Sequence, residues 1–205
     1  MATNLSEADR GLFDAIRRQD VDGAREAFAA GANPNACNDI GFSPLGWCWC
    51  ACDKLDMAKL IIDQPGMDPN LPVDKSGGNA IHLTAQCGQL EITQLLLEAG
   101  ANPNIPNHRG HLPIKLAISH CHPAVVSLLL DHGVDIHTRF PGGNTPAHCA
   151  AGFGYERILV ILRERGADFS LPNDAGKTPD DIIRENKEYL ARRRAELKPV
   201  PKLTP

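Results

Sequence analysis

The chain has 205 residues, a net charge of −4, 42% hydrophobic and 22% charged residues, and only 5% aromatics, so any core is aliphatic and alanine-rich. No stretch reaches the ~20 apolar residues of a membrane-spanning helix, and Met1 to Arg10 has neither a basic start nor an apolar run, so no membrane span and no secretory leader are expected. Seven cysteines form no paired framework, which points to free thiols in a reducing compartment and a cytoplasmic location.

In chain order, Ser6 to Arg18 and Val21 to Ala30 read as two helices, with Ser6 and Asp9 as a capping pair. From there the chain is periodic. Gly41, Gly77, Gly110, Gly143 and Gly176 head similar segments at intervals of 36, 33, 33 and 33 residues. The segments open Gly41-Phe42-Ser43-Pro44-Leu45-Gly46, Gly77-Gly78-Asn79-Ala80-Ile81-His82, Gly110-His111-Leu112-Pro113-Ile114-Lys115, Gly143-Asn144-Thr145-Pro146-Ala147-His148 and Gly176-Lys177-Thr178-Pro179-Asp180-Asp181. A Ser/Thr-Pro pair sets an N-cap hydroxyl before a proline at the first helical position, where its missing N–H costs nothing. Small residues keep this first helix slim, and a glycine then lets the chain reverse. Aliphatic runs such as Leu95-Leu96-Leu97 and Leu128-Leu129-Leu130 make a second helix, closed by a Gly-Asn/Asp turn. One such unit cannot bury its apolar face, so stacking of several is required.

The tetrads, glycines and period resemble the ankyrin repeat, over roughly residues 5–190. The resemblance implies an all-α solenoid of antiparallel helix pairs with β-turn fingers, acting as a non-catalytic protein-recognition module. Six units are expected, at about 5–37, 38–73, 74–106, 107–139, 140–172 and 173–190, in one domain over 1–190, with 191–205 a basic, proline-containing, disordered tail. The first and last units are the caps of the stack. In the family the tetrad histidine, here His82 and His148, is structural and bonds across the finger base.

The second unit departs most: Gly46 stands in the histidine slot, Trp47-Cys48-Trp49-Cys50-Ala51-Cys52 replaces the small-residue helix, and three residues are added. The two tryptophans either fill space between repeats or expose one aromatic anchor. In the fourth unit Lys115 takes the histidine slot and Ser119-His120-Cys121-His122-Pro123 replaces the glycine turn.

Candidate chemistry is thin. Only Cys48 and Cys52 of the Cys48/Cys50/Cys52 run share a helix face, and the spacing is not that of a zinc site. His120, Cys121 and His122 point in different directions along one short tract. Ala175-Gly176-Lys177-Thr178 lacks the earlier glycine and the preceding strand of a phosphate-binding loop. No nucleophile–base pair recurs, so no enzymatic activity, cofactor or metal is expected; a metal- or redox-responsive protein built on the two Cys/His clusters is the alternative.

The resemblance places partner contacts on fingertips and first helices. Ile40, Phe42, Trp47, Phe140 and Phe153 are the expected apolar anchors, and Lys75, His108, Arg109, His111, His120 and Arg139 the basic middle, suited to an acidic partner segment. The partner is expected to be a protein, bound as an adaptor or as an inhibitor plugging an active site, with no nucleic acid and no membrane involved and the chain a monomer.

Overall fold

The computed structural model describes residues 5–51, 55–73 and 76–196, with the side chains of 49–51 and 194–196 outside the description. Lys75 and Cys52, the side chains of Trp49 and Cys50, and the tail beyond 196 therefore lie outside the described residues. The structure is helical, and among the described residues no strand forms beyond one isolated bridge between Pro72 and Asn79. The chain divides into two compact units, Met1–Asp135 and Ile136–Pro205.

The first unit contains α1 (Glu7–Arg18), α2 (Val21–Ala29), α3 (Pro44–Ala51), α4 (Leu55–Ile62), α5 (Ala80–Cys87), α6 (Leu90–Glu98), α7 (Pro113–Ser119) and α8 (Pro123–Asp131). Consecutive helices pair as hairpins. The odd-numbered helices pack as one layer (α1 on α3, α3 on α5, α5 on α7), and α2, α4, α6 and α8 as the other. Between the layers Leu12, Ile16, Met57, Ile61, Ile81, Leu96, Ile114, Ile118 and Leu129 are almost fully buried, each such side chain contributing about 1.5–3 kcal/mol. Ala85 and Ala117, wholly buried, are the slim residues that let neighbouring inner helices approach.

The second unit contains α9 (Pro146–Phe153), α10 (Glu156–Glu164) and α11 (Pro179–Glu196), with α9 packed on both α10 and α11. Ala147, Ala150, Ile158 and Leu162 form its core. The final helix is far longer than the other inner helices and carries Tyr189 and Leu190 exposed.

Helix starts follow the sequence logic. Ser6 Oγ accepts the Asp9 N–H while Asp9 Oδ2 accepts the Ser6 N–H, the reciprocal cap read from the sequence. Thr178 and Asp181 repeat it at the start of α11. All five ruler glycines adopt positive φ, between 69° and 89°, which explains their regularity.

The extra length of the second repeat is visible at two described places. Helix α4 ends at Ile62, four residues before Gly66, whereas α6, α8 and α10 end two residues before Gly100, Gly133 and Gly166. The next finger is closed by Val73 N–H donating to the Gly78 carbonyl, a span of five residues. The corresponding bonds, Asn38 to Phe42, Asn107 to His111, Phe140 to Asn144 and Asn173 to Lys177, span four.

Candidate functional site

The site is built from the finger base upward. Asn107 stands three residues before Gly110, and its side-chain oxygen accepts the N–H groups of Arg109 (3.0 Å) and His111 (3.1 Å). Asn38 and Asn173 do the same before Gly41 and Gly176. This turn fixes the backbone of Arg109 and His111 and turns their side chains outward.

Below the finger, His82 ties α5 to it. Nδ1 of His82 accepts the Asn79 N–H at 3.2 Å, so Nε2 carries the proton and donates to the His111 carbonyl at 3.1 Å. The Asn79 carboxamide lies 2.7 Å from the same Nδ1. His148 is held identically in the second unit, by Thr145 at Nδ1 and by the Lys177 carbonyl at Nε2, 2.9 Å away. Both imidazoles are 2% exposed and occupied at both nitrogens, which leaves neither available as base or ligand.

In the first unit a cleft of about 410 Å³ lies over α5 and α7. Gln86 and Leu83 of α5, Leu116 and Ser119 of α7, His120 just after it, and Ser76, Arg109 and His111 of the fingers line it, and among the described residues no Asp or Glu is in its walls. Burial, followed by the nearby charges of Lys115 and Arg109, holds the His111 imidazole below its usual pKa. The lowered pKa favours the uncharged ring at neutral pH, in a cleft that also holds the Arg109 guanidinium.

The sequence-predicted residues fall into distinct places. Arg109, His111 and His120 meet in this cleft. His108 is exposed on the same finger, its N–H donating to the Ser76 carbonyl, with its ring where a Cβ on Gly77 would have to sit. Ile40 is 49% exposed on the first finger, and half-buried Phe42 and Trp47 pack edge to face with centroids 6.0 Å apart. In the second unit Phe153 is 53% exposed and stacks on Tyr155 at 5.3 Å.

Two expectations are corrected. Phe140, expected as an exposed anchor, is 3% exposed. It occupies the slot that Asn38, Asn107 and Asn173 occupy three residues before the ruler glycine, at the finger base, where its N–H donates to the Asn144 carbonyl. Arg139 is exposed, but its Nη1 donates to the carbonyls of Gly143 (3.2 Å) and Pro172 (3.1 Å), clamping two fingers together. The residue sequence reading missed is Asn107; the recurring Asn three residues before a ruler glycine was its signal.

Cys48 is 2% exposed. His120 Nδ1 donates to the Leu116 carbonyl and His122 Nε2 to the Gln86 carbonyl, with the two rings stacked at 6.4 Å. Among the described residues no three His, Cys, Asp or Glu side chains converge as a metal site, and no helix is long and apolar enough to cross a membrane.

Comparison with known proteins agrees with this architecture. Residues 12–107 match a family model described as ankyrin repeats (3 copies), and residues 114–163 one described as ankyrin repeats (many copies). Over 124 residues the chain is 30% identical to the E3 ubiquitin-protein ligase KEG of Arabidopsis thaliana, covering 58% of this chain and 8% of that protein. It is 33% identical over 102 residues to mouse Rabankyrin-5, covering 48% and 9%. It is 37% identical over 99 residues to human cyclin-dependent kinase inhibitor 2A, covering 48% of this chain and 63% of the inhibitor. The chain thus spans less than a tenth of the first two relatives. Latched tetrads, glycine-headed fingers, paired helices and both family matches lead to one assignment: the chain belongs to the ankyrin-repeat family.

Proposed function

We propose that this protein is a non-catalytic recognition module whose first unit binds an acidic segment of a protein partner in the cleft over α5 and α7. One observation carries the reading: among the described residues the walls include Arg109, His111 and His120 and no carboxylate, so an anionic segment meets complementary charge there. Occupation of both nitrogens of His82 and His148 supports a binding rather than catalytic role. Similarity to a kinase inhibitor along 63% of its length favours inhibition over simple bridging as the mode of action.

The test is capture of partners from the native cell with the wild-type chain and with Arg109→Glu in parallel, followed by affinity measurement against salt. The expected outcome is a partner lost from the variant by about tenfold or more at low ionic strength, with wild-type binding weakening as salt rises. Equal affinity of the variant, or indifference to salt, rejects the acidic-segment reading.

A further inference from the structure

The cleft contains a group poised to change charge as its ligand enters. His111 is held by its backbone alone: its N–H by Asn107, its carbonyl by the Asn107 N–H and by His82 Nε2. Its side chain faces the cleft, half-buried. The charged and titratable groups around it are Arg109 and His108 on its own finger, Lys115 on α7, His82 from α5 and His120 at the far wall. Among the described residues, every one of these is cationic or neutral. A ligand carboxylate opposes the part of the lowering that comes from the Lys115 and Arg109 charges and so favours protonation of the imidazole.

We propose, building on the acidic-segment reading above, that this cleft is a proton-coupled receptor for an Asp or Glu side chain of the partner. The Arg109 guanidinium receives the carboxylate through its planar fork, and His111 takes up a proton from solvent as the anion arrives. Gln86 and Ser119 on the inner helices border the entering chain. The proton adds a positive charge beside the Arg109 guanidinium, so binding tightens as pH falls through the imidazole range. Each unit by which the bound carboxylate raises the His111 pKa corresponds to about tenfold in affinity between the two pH limits.

The experiment uses the full chain, an acetylated and amidated tetraglutamate peptide as probe, and imidazole and backbone NMR resonances as readout at pH values from about 7.5 to about 6. The expected result is shifts centred on Gln86, Arg109, His111 and His120, affinity about threefold or more tighter at the lower pH, and a raised His111 pKa in the complex. His111→Asn, which leaves both backbone bonds of the finger intact, should still bind and should lose the pH dependence; Arg109→Ala should weaken binding at every pH. Shifts elsewhere, or no binding at any pH, overturn both this proposal and the acidic-segment reading. Binding at the cleft with no pH dependence, or with one that survives His111→Asn, overturns the proton coupling alone. Inorganic phosphate shifting the same resonances with higher affinity than the peptide overturns the carboxylate assignment in favour of a phosphoryl group.

Discussion

The repeats beginning at Gly41 and Gly77 solve one problem in opposite ways. Each must hold the first turn of its inner helix against the base of the next finger. At α5 the connection is polar: His82 receives a proton donor at Nδ1 and gives one at Nε2, bridging 29 residues to His111. At α3 no side chain exists to bridge, because the slot is Gly46. A Cβ there would lie 2.5 Å from the Val73 carbonyl oxygen and 2.8 Å from the Val73 Cβ. Val73, 2% exposed, fills by packing the place that an imidazole fills elsewhere. The difference teaches that the tetrad histidine is one solution to a junction, and that losing it demands a compensating approach of the following finger. The lengthened hairpin closed from Val73 to Gly78 accompanies that approach.

The polar junction should break hardest. His82→Ala leaves the Asn79 N–H without an acceptor and the His111 carbonyl without the imidazole donor, and opens a cavity beneath the finger. We expect a loss of about 2–4 kcal/mol in chemical denaturation. Because His82 also supports the base of the cleft, binding should weaken together with stability. A variant as stable as wild type would show that the bridge does not hold the junction. The packed junction comes next. Gly46→Ala forces the Val73 backbone away and should cost about 1–3 kcal/mol, and Val73→Gly in the same chain should recover part of it. No recovery would mean the two positions are not coupled.

A third junction type, carboxylate-based, sits at Ser6–Asp9 and Thr178–Asp181, and pH tests it directly. Burial pushes the Asp9 carboxyl up, but hydrogen bonds from the Asn33 N–H and from Ser6 outweigh it, and its pKa lies below the usual value. Bonds from the Thr178 hydroxyl and N–H, with Arg184, bring Asp181 down to about 2. Both folded-state values are depressed, so their stabilisation is complete above the unfolded carboxylate range and is lost as pH falls through it toward about 2. Helicity should therefore decline below about pH 4. Asp9→Ala should cost on the order of 1–2 kcal/mol at neutral pH, and Asp181→Asn should flatten the acid limb of the second unit. An unchanged acid profile in both variants would remove these caps from the account of acid sensitivity.

Much of this was legible in the sequence because it is local. Hydroxyl caps, the Pro start and glycine stops act within four residues, so the helices and the Ser6–Asp9 cap could be read directly. The compensation at Gly46 could not, because its partner lies 27 residues away and is an ordinary valine. Phe140 shows a subtler limit. The same finger slot takes a half-buried Asn107 in one repeat and a buried Phe140 in another, and only the folded finger shows that the ring is covered. The cleft was legible in part: Arg109, His111 and His120 were visible as a basic cluster, whereas the support from Asn107 and His82 that aims them depends on the folded finger.

The turn between α7 and α8 offers the smallest and cleanest test. Gly88 and Gly154 end α5 and α9 at φ values of 74° and 71°, and the same role after α7 falls to Cys121, at φ 59°. A side chain in this left-handed region costs about 1 kcal/mol or slightly more. Glycine relieves that strain but gives the unfolded chain more freedom, so the net gain for Cys121→Gly should be about 0.5–1 kcal/mol. The thiol is exposed, and its removal leaves the flanking bonds from His120 to Leu116 and from His122 to Gln86 in place. A rise in the denaturation midpoint with an unchanged m-value is the expected signature. A fall would mean that the Cys121 side chain itself supports the turn, and the irregular fourth repeat would then resemble the second, with a departure from the pattern compensated by contacts of its own.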